Sequence, residues 1–158
     1  MIVFKESYEK RNMEKKFAGL LAVLVLIWGC SIKGSDNPVS TTGNLNPCPK
    51  SPNCVSTLAH DSRHAMPPLP FIGTKDQSKQ RIIKIIQSLD RSKIVKISES
   101  YIHAQFKSRL FGFVDDVEFQ FDDATRRVNF RSASRSGYYD FGVNRRRMSE
   151  ISKRYLAK

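Results

Sequence analysis

An alternation of apolar and polar residues on both sides of a turn constrains this fold most. The turn is Asp122-Asp123-Ala124-Thr125, and its apolar flanks are Val117, Phe119, Phe121, Val128 and Phe130. Pairing Phe119 with Phe130 places Glu118 opposite Arg131 on the other face. Because one register satisfies both faces, the pattern predicts an antiparallel hairpin with an apolar and a polar face.

Two further segments have helical periodicity. Thr74, followed by Gln77, is typical of a capping box that begins a helix reaching about Asp90. Its apolar residues recur at helical spacing: Ile82, Ile85, Ile86 and Leu89. Near the C-terminus, Asn144 is predicted to cap a second helix. The residues on one side of that helix are Met148, Ile151 and Tyr155.

Between the first helix and the hairpin, the period changes to two. Residues 94–97 and 101–109 are predicted strands, and in the longer one Ile102, Ala104 and Phe106 share a face. The expected fold is therefore α+β. We expect a four-stranded antiparallel sheet with two helices packed on its apolar face, preceded by a small disulfide-stapled loop.

The N-terminal apolar run, residues 17–28, has the features of an export signal. It follows Lys15 and Lys16 and, at ~1.5 Å rise per residue, is too short to cross a bilayer. Residues 27–30, Ile-Trp-Gly-Cys, resemble the lipobox of bacterial lipoproteins. That resemblance implies cleavage before Cys30 and acylation of its sulfur. The alternative is an uncleaved N-terminal anchor.

These features predict a domain organisation and a location. Residues 1–29 are a lipoprotein-type signal peptide with a potential true start at Met13, residues 30–46 a flexible tether, and residues 47–158 a single domain. The predicted partner is a membrane, reached through the lipid anchor, with the domain facing the periplasm. Ser31 after the cysteine favours the outer membrane, by resemblance to Gram-negative sorting.

The chain carries 27 basic and 15 acidic residues, of which five and three lie in residues 1–29, leaving 22 and 12. This charge favours an anionic ligand or an envelope protein as a further partner. Nucleic acid is not expected, because an exported lipoprotein seldom meets it. The oligomeric state is left open.

Cys48 and Cys54 remain once Cys30 is acylated, with five residues between them. In an oxidising compartment such a pair predicts a disulfide. The alternative is a metal site that adds His60 and His64, but the spacing is not that of a structural zinc site. We therefore predict neither a metal nor another cofactor.

A polar cluster in the second half of the chain supplies the candidate ligand-binding residues: Asp115, Asp116, Glu118, Arg131, Ser134, Arg135, Asp140, Asn144 and Arg145. Arginines 145–147 begin a helix, where the helix dipole disfavours positive charge. Either internal carboxylates neutralise them or an external anion binds there. The first reading gives a structural network and the second a binding site.

Three motifs carry a resemblance to a known family. They are residues 48–56 (CPKSPNCVS) followed by Asp61 and His64, residues 108–119 (SRLFGFVDDVEF), and residues 131–135 (RSASR) with Gly137, Asp140 and residues 142–145 (GVNR). Together they resemble the uncharacterised family called domain of unknown function 1499, over about residues 47–156. The resemblance implies small bacterial and plastid proteins, often exported, with no agreed activity. It points to the same polar residues.

Two functions follow from the residues. The first is a non-enzymatic envelope module with an Arg/Asp polar centre for an anionic ligand or partner. The alternative is a small hydrolase or transferase that uses Asp115 and Asp116 with Ser134 and the arginines, since paired carboxylates can divide acid and base roles. The sequence contains no nucleophile elbow, phosphate loop or metalloprotease helix.

Overall fold

A computed structural model describes residues 39–157, in which six strands and two helices form one α+β domain. The strands are β1 (Cys54–Ser56), β2 (Leu69–Pro70), β3 (Ser92–Ile97), β4 (Tyr101–Lys107), β5 (Val114–Asp122) and β6 (Arg127–Ser134). The helices are α1 (Lys75–Gln87) and α2 (Val143–Leu156). The predicted signal peptide, the predicted lipidation site Cys30 and residues 31–38 lie outside the described residues.

The sheet is antiparallel and has the strand order β1-β6-β5-β4-β3, with β2 also paired to β6. The prediction of four strands is therefore wrong, because β1 and β2 lie one after the other along the outer edge of β6. Both strands are too short for their periodicity to be visible, and Pro70 disfavours a strand in sequence reasoning. Pro70 is tolerated at this edge position.

The hairpin register is as predicted. Phe119 pairs with Phe130 and Glu118 with Arg131 in the ladder of β5 and β6. In β4, Ile102 pairs with Phe119, so the apolar face continues across the central strands.

Both helices form, and their N-termini differ from each other. At α1 the predicted capping box of Thr74 and Gln77 is present. The prediction that Asn144 caps α2 is wrong, because Gly142 is the N-cap residue, with a left-handed φ of 74°. The carboxylate of Asp140 accepts hydrogen bonds from the backbone N–H groups of Gly142 and Asn144, at 2.8 and 2.9 Å. Asp140 thus supplies the capping oxygens, which leaves the Asn144 side chain to interact elsewhere.

The apolar core lies between the sheet and the two helices. Its fully enclosed side chains come from both layers: Ile82, Ile86, Ile102, Ala104, Val117, Phe119, Val128, Phe130, Met148, Ile151 and Tyr155. This packing leaves the polar side chains of β4, β5 and β6 on the opposite face.

The segment that precedes the domain also contacts the sheet. Ser40 and Leu45 are buried, and the Asn44 side chain accepts a hydrogen bond from Gln120 of β5. Within the predicted tether, residues 39–46 therefore lie against the polar face.

Candidate functional site

The sheet separates the predicted site residues onto two faces. Asp115 lies on the helix side with Ser134, which is its partner on β6. Asp116 and Glu118 lie on the opposite face, because side chains alternate along β5. The predicted polar centre is therefore two separate clusters.

On the polar face, Glu118 binds three donors. Its Oε2 accepts from Nη1 of Arg131 at 2.9 Å, and its Oε1 accepts from the Tyr101 hydroxyl at 2.6 Å and from the Ser40 backbone N–H at 2.9 Å. Glu118 and Arg131 are fully buried. Burial, followed by the hydrogen bond to Glu118, raises the pKa of Tyr101, so its hydroxyl remains a donor. This cluster is sealed and serves the fold.

A second group of polar side chains on the same face forms around the carboxylate of Asp116. Arg135 donates to its two carboxylate oxygens at 2.6 and 2.8 Å, and Nε2 of His103 lies 2.7 Å from Oδ1. Burial acts to raise the pKa of Asp116, but the hydrogen bonds from Arg135 and His103 outweigh it and hold the pKa below its ordinary value. The Arg135 side chain is 44% exposed, so it is the part of this group that reaches solvent.

On the helix side, Arg147 pairs with Asp115 at 2.5 Å, and its guanidinium lies 4.8 Å from the centroid of the Phe106 ring. Asn144 accepts from the Ser132 hydroxyl at 2.6 Å and donates to Oγ of Ser134 at 2.9 Å. These bonds connect α2 to β6, which is a structural role.

Arg145 differs from the other arginines of the predicted site. Its Nη1 donates to the Ala65 carbonyl at 3.1 Å and its Nη2 to the Arg63 carbonyl at 2.7 Å. It lies in a cleft of about 270 Å³ at the start of α2. The residues that line this Arg145 cleft are Pro52, Val55, Arg63, Tyr139, Asp140, Gly142 and Arg145.

Residues 44–154 match the model of a family described as Protein of unknown function (DUF1499). The chain belongs to this family. The match covers the cleft and both polar clusters except Ser40, and the family description carries no activity. None of the curated proteins compared with the chain matches it.

In this DUF1499 domain, Cys48 and Cys54 form the predicted disulfide. Because both sulfurs are bonded to each other, they do not supply the thiolates that the alternative metal site requires. Nδ1 of His64 lies 2.8 Å from Oδ1 of Asp61, and its Nε2 lies 3.1 Å from the Ser51 carbonyl oxygen. Within residues 39–157, no cluster of three metal-ligating side chains and no helix long and apolar enough to span a membrane is present.

The DUF1499 fold does not assemble the predicted acid–base pair. Asp115 and Asp116 point to opposite faces and each binds an arginine. Ser134 lies with Asp115 and binds Asn144. The alternative function as a hydrolase or transferase at these residues therefore has no common site.

Sequence reasoning missed several members of these clusters: Tyr101, His103 and Arg63. Tyr101 and His103 had a detectable signal, since they alternate with apolar residues in a strand that precedes the acidic one. Arg63 had none, because a loop distant in sequence brings it to the site.

Proposed function

We propose that the chain is an exported, lipid-anchored protein of the cell envelope whose domain is a non-catalytic binding module for a small anion. The lipobox-like sequence before Cys30 supports acylation there. The disulfide supports maturation in an oxidising compartment, such as the periplasm. In this proposal the anchor lies in the outer membrane and the domain faces the periplasm.

The observation that carries the binding role is the difference between Arg145 and the other arginines of the polar clusters. Arg131, Arg135 and Arg147 each bind a carboxylate of the domain. Within the described residues, Arg145 binds backbone carbonyls only, so its charge has no partner of opposite sign. The carboxylates of the domain thus neutralise Arg131, Arg135 and Arg147, and the charge of Arg145 is left for a ligand.

The composition of the Arg145 cleft fits a small anion. Arg63 also lines it and is exposed, so a second cationic residue lies at the cleft. Planar guanidinium groups bind carboxylate or phosphate oxygens in pairs. The charge of Asp140 is offset in part because its carboxylate accepts hydrogen bonds from the N-terminus of α2. The cleft is slightly smaller than ordinary pockets for drug-sized ligands, ~300–1,000 Å³.

Calorimetric titration of the full chain with inorganic phosphate at constant ionic strength tests this site. We expect saturable binding, and at least tenfold weaker binding in Arg63→Met, since a charge-assisted hydrogen bond contributes about 1.5–3 kcal/mol. Arg154→Met is the matched control, because Arg154 is also exposed but pairs with Glu150 and does not line the cleft. Equal affinity in the two variants would contradict the cleft as the site.

Intact-mass analysis of the protein from membranes tests the anchor. We expect a chain that begins at residue 30 and carries acyl chains. A Cys30→Ser variant should keep its leader and lack the acyl mass. An unacylated product with its leader intact in the native protein would refute the lipoprotein assignment and leave the cleft untouched.

A further inference from the structure

Two loops leave the sheet at the same end. The β4–β5 loop spans residues 108–113, between Lys107 and Val114, which pair with each other. The β6–α2 loop spans residues 135–142 and begins beside Val114, whose carbonyl accepts from the Arg135 N–H at 3.0 Å. We call this pair of loops the aromatic end.

The aromatic end exposes large apolar side chains: Leu110, Phe111, Phe113, Tyr138, Tyr139 and Phe141. Among the described residues, all of the strongly exposed aromatic side chains lie here. Phe111 is 71% and Phe141 77% exposed, and Phe141 adopts a left-handed φ of 54°. Such a concentration of apolar surface marks an interaction site, because isolated exposed apolar residues would be scattered.

Apart from Asp140, whose carboxylate accepts hydrogen bonds from the N-terminus of α2, the charged residues of the two loops are basic. Exposed cations lie in or beside the loops: Lys107, Arg109, Arg146 and Arg135, the last of which pairs with Asp116. Residues 107–114 and 134–139 contain no acidic residue. Aromatic side chains next to arginine and lysine are typical of surfaces that enter the interface of an anionic bilayer.

The segment that precedes the domain runs toward the aromatic end when it is followed back toward the N-terminus. Asn44 contacts Gln120 and Ser40 contacts Glu118, so the chain followed back toward its N-terminus runs along β5 toward the aromatic end. Nine residues separate Cys30 from Ser40 and span at most roughly 35 Å. Glu118 lies four residues from the start of β5, or about 13 Å.

From these observations we propose that the aromatic end docks on the surface of an anionic bilayer, with its aromatic side chains in the interface and its cations at the lipid head groups. The argument from chain length rests on the proposed lipid anchor at Cys30, whereas the arguments from exposure and charge do not. Docking in this orientation brings the Arg145 cleft close to the membrane, because Tyr139 belongs to both.

A single-tryptophan reporter tests the docking in the full chain. Trp28, the only tryptophan, lies in the leader that the proposed processing removes, so a Trp28→Phe background keeps Phe111→Trp the single reporter whether or not the leader is cleaved. The protein is reconstituted in vesicles of phosphatidylethanolamine and phosphatidylglycerol. We expect emission at shorter wavelength than in pure phosphatidylcholine vesicles, and quenching by lipids with brominated acyl chains. Ile97→Trp is the control, since Ile97 is exposed at the opposite end of the sheet.

Charge and mass measurements complete the test. Arg109→Gln should weaken docking about fivefold, and added salt should weaken it further. Equal quenching at residues 97 and 111 would overturn the proposal. A blue shift without quenching by brominated lipid would assign the aromatic end to contact between copies of the chain and would also overturn it. The intact mass reports acylation separately, so a failed anchor and failed docking are distinguished.

Discussion

The central strands of the sheet enclose buried side chains on both faces, but by different interactions. On the helix side, aromatic and aliphatic residues such as Phe119 and Phe130 pack against α1 and α2. On the other face, Glu118 and Arg131 are just as inaccessible beneath residues 39–46. Apolar burial gains stability with area. A buried ion pair instead depends on every partner being present, since one missing partner leaves a buried charge.

The largest expected effect comes from separating the buried ion pair. Glu118→Leu should lower the free energy of unfolding by about 3–5 kcal/mol, because it leaves the charge of Arg131 buried. Phe130→Ala on the apolar face should cost a similar ~3–5 kcal/mol, through the cavity that it creates. Urea unfolding followed by circular dichroism measures both.

The double variant distinguishes the two faces. Adding Arg131→Met to Glu118→Leu should recover most of the loss, because apolar residues of similar volume can replace a buried pair. No charge removal can compensate Phe130→Ala. If the double variant is as unstable as Glu118→Leu alone, the pair does not dominate the energetics of the polar face.

The next largest effect concerns the edge of the sheet, where Cys54 begins β1. Reducing the Cys48–Cys54 disulfide should lower the free energy of unfolding by about 2 kcal/mol, as the chain-entropy model gives for so short a loop. Paired urea titrations with and without dithiothreitol measure this change. A Cys48→Ser, Cys54→Ser variant is the control and should not respond to the reductant. A response of equal size in that variant would show that the reductant acts elsewhere.

These two regions also show what the sequence could predict. The hairpin register followed from residues 117–130, because the apolar pairs and the pair Glu118–Arg131 require the same alignment. The disulfide and both helices followed from spacing and periodicity.

Contacts made by isolated residues could not be predicted. The strand β2 has only two residues, and its pairing depends on the free edge of β6. Ser40 binds Glu118 through its backbone N–H, which no residue type reveals. At the candidate site, sequence reasoning found Arg145 but not Arg63, because the cleft forms only when α2 packs beside the loop of residues 57–68.

A smaller, pH-dependent effect is expected on the polar face. The folded-state pKa of Asp116 lies below the ordinary value of 3.8, so its charged form stabilises the fold above about pH 4. That contribution is lost as the pH falls through the folded pKa. Asp116→Asn should therefore lose less stability than the unmodified protein between neutral pH and about pH 3, as measured by urea unfolding.

The control for this pH effect is Asp90→Asn, since Asp90 is exposed and lies outside the polar face. It should keep the full acid dependence of the unmodified protein. If Asp90→Asn flattens the pH profile as much as Asp116→Asn does, the acid sensitivity does not come from the Asp116 group.

The smallest effect on stability is expected at the aromatic end, where apolar side chains face solvent. Phe111→Ser should change the free energy of unfolding by no more than ~0.5 kcal/mol, because the ring makes few contacts that unfolding would break. Phe106→Ser is the comparison. Because Phe106 is buried in β4, this substitution should lower the free energy of unfolding by several kcal/mol. Urea unfolding without lipid measures both variants. A docking surface needs an exposed ring that the stability of the fold does not require. A cost above 1 kcal/mol for Phe111→Ser would instead mean that the domain itself covers this ring.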